Sequence, residues 1–188
     1  IAGQYAKPRS ESFESVYEVS LPNYRGDIIN GFEFDADSRR ADPERLLKAY
    51  TYSCFTLNHI RSQLALENQI HGKMNEFYTS HEALLLEYES SLTHFDQESH
   101  AWLNLGAHTL WLGYRTQQID GAHVEYLRGI ENPIGIKVGP GVNIPELVSL
   151  VETLNPKNLA GRILLITRLG KDVVKEILPK IIEGIELK

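Results

Sequence analysis

Three apolar runs in the second half of the chain, LGAHTLWLGYRTQ, NPIGIKVGP and GRILLITRLG, close on a cation and lead into a stretch with helical spacing. From Arg115 to Lys137 is 22 residues and from Lys137 to Arg168 is 31. Each interval has room for one helix, and a parallel neighbour can be reached only through such a crossover. The alternation therefore predicts an α/β fold built on a parallel sheet. The unbroken apolar ILLI of the third run predicts a strand buried on both faces. The intervening helices are expected in DGAHVEYLRGI, in PELVSLVETL, which starts near Pro145 and stops before Asn155 and Pro156, and in KDVVKEILPKII, disturbed at Pro179.

The first half is less regular. IAGQYAKPRS reads as a strand that breaks at Pro8, and LPNYRGDIINGFEFDADSRRADPER is long and turn-rich enough to be a folded loop. Asp42, Pro43 and Glu44 make a good helix start. Leu46, Leu47, Tyr50, Cys54, Leu57, Ile60 and Leu64 then recur at helical steps, which predicts a helix with one buried stripe and Cys54 as a small buried hydrophobe on it. Residues 66–74 are too polar to assign. NEFYTSHEALLLEYESSL predicts a short strand and then a helix, with Thr79 and Glu82 at capping-box spacing. On a helix the adjacent His81 and Glu82 would diverge by about 100° and share no ligand face.

A net charge of −6 and a pI near 5.7 exclude a broad basic surface for nucleic acid. The single cysteine allows no internal disulfide and no zinc-type spacing, which fits a reducing cytosol. No apolar run approaches the roughly 18 residues of a membrane span. The first residues look like the inside of a fold, so upstream sequence is expected.

Four strand candidates thus end in cations: Lys7 with Arg9, then Arg115, Lys137 and Arg168. In parallel α/β folds the carboxyl ends of the strands share one face, where ligands bind. Any one of these cations has an ordinary explanation as a snorkelling strand end. Several gathered at a partly dry mouth are unfavourable unless an anion is present. Arginine grips oxyanions bidentately and lysine adds a compact charge, so the pattern points to phosphorylated or carboxylated small molecules.

The blocks AGQYAKPRS, YRGDIINGF, FYTSHEALLL, GAHTLWLG, RTQQIDGAHVEYLRGIENPIGIKVGP and GRILLITRLG resemble, in order, the class II (plant-type) 3-deoxy-D-arabino-heptulosonate 7-phosphate (DAHP) synthases. The resemblance runs over nearly the whole chain. It implies a (β/α)8 TIM-type barrel, of which this chain would cover roughly strand 2 to helix 6. Residues 1–188 would form one partial barrel domain, with 21–75 a loop and helical insertion. It also implies condensation of phosphoenolpyruvate with D-erythrose 4-phosphate, the first shikimate-pathway step, with a divalent metal such as Mn2+ polarising the aldehyde. By matching motifs, Arg115, Lys137 and Arg168 would bind phosphoenolpyruvate. Lys7 would act beside the reacting groups, and Arg9 and Ser10 would hold the phosphate of erythrose 4-phosphate. A cytoplasmic enzyme is expected (plastid in a plant), a homo-oligomer or one paired with a complementing chain segment.

The sequence departs from the family in places. The family's metal ligands have no counterpart here, Tyr114 stands where an acid is usual, and the segment between Leu64 and Glu76 is short. The alternative reading is an anion-binding or regulatory remnant of such a barrel without its metal site; in either case the isolated segment is expected to be inactive.

Overall fold

The computed structural model describes residues 11–72 and 74–186. They fall into two compact units that divide between Phe77 and Tyr78. The expected first strand and its residues Lys7, Arg9 and Ser10 lie outside the described residues.

In the second unit a four-stranded parallel sheet has the order β3 (Ser80–Glu82), β6 (Thr109–Leu112), β7 (Ile134–Val138), β8 (Ile163–Thr167). The order never reverses, so right-handed crossovers place every connecting helix on one side. Those helices are α4 (Ala122–Arg128), α5 (Ile144–Leu154) and, after β8, α6 (Val174–Glu186). Asn143 caps α5 by accepting the Glu146 N–H, with Pro145 in the first turn. Pro179 lies inside α6 without ending it.

Alternate residues of a strand face opposite sides. Leu110 and Leu112, Ile134, Ile136 and Val138 point to the helix side and are buried with Val124, Leu127, Leu147, Leu150, Leu154 and Ile181. The other side carries Glu82, Trp111, Lys137, Leu164 and Ile166, and there Leu164 is 48% and Ile166 36% exposed. The expectation of a β8 buried on both faces is therefore corrected. Only half of its alternation meets helices, and among the described residues nothing seals the opposite face.

Between β3 and β6 the chain makes α3 (Leu86–Ser91) and a hairpin, β4 (Thr93–Asp96) with β5 (Ala101–Asn104), which periodicity did not reveal. Buried polar side chains tie these pieces together. Glu89, 2% exposed, accepts from Asn104 Nδ2 at 2.9 Å and lies 2.8 Å from His81 Nε2. Asn104 also donates to the Tyr126 hydroxyl, which meets Thr93 Oγ1 at 2.7 Å. Asn132 binds both main-chain groups of Asn104, at 2.8 and 2.9 Å. Arg162, buried below β8, donates to the carbonyls of Asn132, Ile130 and Leu127, satisfying the chain end of α4.

The first unit begins with the hairpin β1 (Phe13–Val16) and β2 (Val19–Pro22). The turn-rich loop after it is folded around two buried polar residues. Asn30 accepts the Arg25 N–H and donates to the carbonyls of Asn23 and Arg39. Arg39, on the short α1 (Ala36–Arg39), pairs with Glu14 at 2.7 Å and donates to Glu33 and Phe32 carbonyls. Then α2 (Glu44–His71) runs 28 residues, opened by Asp42 accepting the Glu44 N–H and closed by Gly72 in the left-handed region, φ 61°. The polar segment 66–71 thus continues the helix. No residue of α2 is buried and Cys54 is exposed, which corrects the expected buried stripe: apolar spacing marks a face but does not supply its partner.

Candidate anion-binding site

The site builds from the carboxyl ends of β6, β7 and β8. Lys137 is the fourth residue of β7 and faces the side away from the helices. Its half-buried ammonium stands 4.0 Å from the centroid of the Trp111 ring on β6, and Trp111 is buried. A cation over an indole face is held by the ring quadrupole, worth roughly 0.5 to 2 kcal/mol. Among the described residues no carboxylate lies within ion-pair distance of Lys137.

Arg115 does not end a strand, as expected from sequence, but sits in a 3-10 turn, Tyr114–Thr116, one residue beyond β6. That turn is tied to β7, because Gln117 Nε2 donates to the Lys137 carbonyl at 2.6 Å, and it is closed on itself by Thr116 Oγ1 donating to the Gly113 carbonyl at 3.1 Å. Arg168 directly follows β8, and its N–H donates to the Val138 carbonyl at 2.8 Å, extending the ladder past Lys137. Arg115 and Arg168 therefore follow β6 and β8 and Lys137 lies in the last residues of β7's ladder, all at the same end of the sheet.

Glu82, expected from sequence in a capping box, and Tyr114, the departure from the family, complete this corner. Glu82 does not belong to a capping box. It ends β3, while the hydroxyl and N–H of Thr79 are engaged by His108 Nδ1 at 3.1 and 3.0 Å. The Glu82 carboxylate rests against Gly113, so closely that a Cβ at position 113 would collide with its Oε1. Gly113 has φ −71°, available to any residue, so its value here is space. Tyr114 lies along the loop after β7, where Cβ atoms at Gly139 and Gly141 would sit 3.6 Å from its ring and 3.5 Å from its hydroxyl. Strand alternation and register were the available signals for Glu82 and Trp111, since both share Lys137's side of the sheet.

His81 points the other way from Glu82, as neighbours on a strand must, and is spent on Glu89. Among the described residues no group of three or more His, Cys, Asp or Glu side chains is placed to hold a metal ion. Among the described residues no helix is long and apolar enough to cross a membrane.

The sequence matches a family. The model of the class-II DAHP synthetase family matches residues 1–68 and 64–188. This chain belongs to the class-II DAHP synthetase family. It is 38% identical over 244 positions to a phospho-2-dehydro-3-deoxyheptonate aldolase of Neurospora crassa, covering 99% of this chain and 50% of the relative. To the protein of the same name from Streptomyces coelicolor it is 37% identical over 230 positions, covering 98% and 51%. The chain spans about half the length of the curated relatives it matches. Both alignments run over more positions than the 188 residues available here, so the relatives carry additional sequence within the matched region. The family match comes in two segments that overlap at residues 64–68, inside α2.

Proposed function

We propose that this chain is part of an enzyme joining phosphoenolpyruvate to D-erythrose 4-phosphate, releasing phosphate and DAHP at the first shikimate-pathway step. The observation that carries the reading is that Arg115, Lys137 and Arg168 belong to the carboxyl ends of β6, β7 and β8, in a member of a DAHP synthetase family. The four parallel strands, wound in one direction with all helices outside, would be four neighbours of a (β/α)8 barrel. The open side carrying Leu164 and Ile166 would become its interior.

In this reading the two arginines grip the carboxylate and phosphate of phosphoenolpyruvate, and the Lys137 ammonium supplies a compact charge between them. Trp111 holds that ammonium in place before substrate arrives, which lowers the reorganisation needed on binding. Lys7, Arg9 and Ser10 keep the roles the resemblance implies, at the reacting groups and at the erythrose 4-phosphate phosphate. The enol carbon attacks the aldehyde carbon, water adds to the neighbouring carbon, and the carbon–oxygen bond to phosphate breaks. The cations stabilise charge on the anionic substrates throughout. Such enzymes take a divalent metal, but the described residues do not fit as its ligand set. Its ligands are therefore assigned to residues outside them.

The test is phosphate release from phosphoenolpyruvate and erythrose 4-phosphate with Mn2+ by the complete gene product. Activity is expected there, and Arg168→Ala should raise the phosphoenolpyruvate KM by the equivalent of about 2–4 kcal/mol. An unchanged KM removes Arg168 from the site. No phosphate release by the complete protein refutes the reading.

A further inference from the structure

Main-chain pairing registers two of the three cations at this corner and stops short of the third. The β7–β8 ladder pairs Lys137 with Ile166 and Val138 with Thr167, and the Arg168 N–H extends it. The β6–β7 ladder ends at Leu112 and Ile136, so it does not reach Arg115. In a parallel sheet, successive residues of a central strand turn their main-chain groups to opposite neighbours. Ile134 and Val138 face β8, since the Ile134 N–H donates to the Arg162 carbonyl and the Val138 carbonyl accepts the Arg168 N–H. Pro133 faces β6, where its carbonyl accepts the Leu110 N–H. By this alternation the Lys137 carbonyl also faces β6, at a level where that strand has already turned away into Tyr114–Thr116.

The Gln117 side chain fills that place in the ladder. Its Nε2 donates to the Lys137 carbonyl at 2.6 Å, as the next N–H of a longer β6 would. The oxygen end of the amide could not do this, because two acceptors would then face each other. The turn is closed on itself by the Thr116 N–H and hydroxyl, each 3.1 Å from the Gly113 carbonyl, and by Gln118 Nε2 at 3.1 Å from the Arg115 carbonyl. It is a small preformed piece, and the Gln117 bond sets its height against β7.

We infer that Gln117 is a positioning residue: it holds Arg115 in register with Lys137, so that the two cations meet one phosphoenolpyruvate molecule together. This rests on the function proposed above. Cations on separate segments grip one anion well when their spacing is set beforehand, because otherwise binding must also order the turn. Gln117 acts through Arg115, with its own amide engaged by the Lys137 carbonyl.

Calorimetric titration of the complete gene product with phosphoenolpyruvate, alongside steady-state kinetics, tests this. Gln117→Met keeps the length and loses the donor, whereas Gln117→Asn keeps the amide and falls one methylene short. Both should raise the phosphoenolpyruvate Kd and KM about tenfold, a factor suited to one lost hydrogen bond. The KM for erythrose 4-phosphate, kcat and the melting temperature should hold, as they do when only ground-state binding of one substrate is lost. A wild type that binds no phosphoenolpyruvate refutes the function proposed above, and this inference with it. A wild type that binds, with both variants within about twofold of it, overturns the role of Gln117 alone. Losses of kcat and of both substrates' affinity in step with the melting temperature make Gln117 a packing residue and overturn it as well.

Discussion

The Lys137 ammonium stands over the Trp111 indole at 4.0 Å, one strand away, at the carboxyl end of the sheet. An anion bound at this corner competes with the ring for the same charge. Titration with phosphoenolpyruvate should therefore change Trp111 emission, and Lys137→Met should abolish the change. Trp102, on β5, supplies the background. A response that survives in Trp111→Phe belongs to Trp102 and removes the Lys137–Trp111 pair from the site.

Gly113 keeps Glu82 where it is. A methyl at this position meets the end of a flexible side chain rather than backbone, so the fold can absorb it by moving Glu82. Gly113→Ala should cost no more than about 1 kcal/mol in denaturant unfolding. In the complete enzyme it should nonetheless depress kcat/KM well beyond what that loss explains. Equal losses of stability and activity would make Gly113 a packing residue only.

Glu89 is the most demanding group in the second unit, a carboxylate at 2% exposure held by His81 and Asn104. Its removal leaves the Asn104 amide and the His81 ring with fewer partners in a closed space. Glu89→Ala should destabilise by about 3 kcal/mol, measured as the shift of the urea midpoint multiplied by m. His81→Ala, which strands the buried carboxylate, should cost at least as much. A loss below 1 kcal/mol in both would show that the network is not what fixes the β4–β5 hairpin to β3.

Arg162 illustrates a different solution, a buried guanidinium whose acceptors are all main-chain carbonyls, at the end of α4 and in the turn after it. Burial pushes its pKa down from the usual arginine range. Arg162→Met fills similar volume but orphans those carbonyls, and a loss of about 2–4 kcal/mol is expected in the same unfolding assay. Full retention of stability would mean that the carbonyls find other donors.

What the sequence made legible was the part governed by local chemistry. The runs around Leu110, Ile136 and Leu165 became parallel strands in order, and the Asn155 stop and the Asp42 start fell where capping chemistry put them. What stayed hidden depended on partners. Cys54 and its stripe have the right spacing for burial, but among the described residues no element covers them. The Thr79–Glu82 spacing fits a capping box equally well as a strand end, and only pairing with β6 decides between them. Arg115 looked like a strand terminus because no local signal marks the 3-10 turn that Gln117 ties to β7. The β4–β5 hairpin escaped because its stability comes from Asn104 and Asn132, a pair 28 residues apart.

Acid should cost stability through exposed carboxylates that hold turns and helix ends. Asp35 caps α1 by accepting the Ser38 N–H at 2.8 Å, and that bond holds its pKa below the ordinary 3.8. Asp96 is lowered likewise, mainly by the Ser99 hydroxyl at 2.5 Å and then by the Ser99 N–H. Glu176 is lowered from 4.5 by Lys180, 2.9 Å away on α6. A carboxylate with a lowered folded-state pKa binds protons less readily than its unfolded counterpart. Its stabilisation is therefore complete above the unfolded pKa and disappears as pH falls through the folded one. Thermal melts from about pH 5 to about pH 3 should show Tm falling, and Asp96→Asn should flatten the slope because it removes one proton-linked contribution. A slope unchanged by both Asp96→Asn and Asp35→Asn would assign the acid sensitivity to other carboxylates.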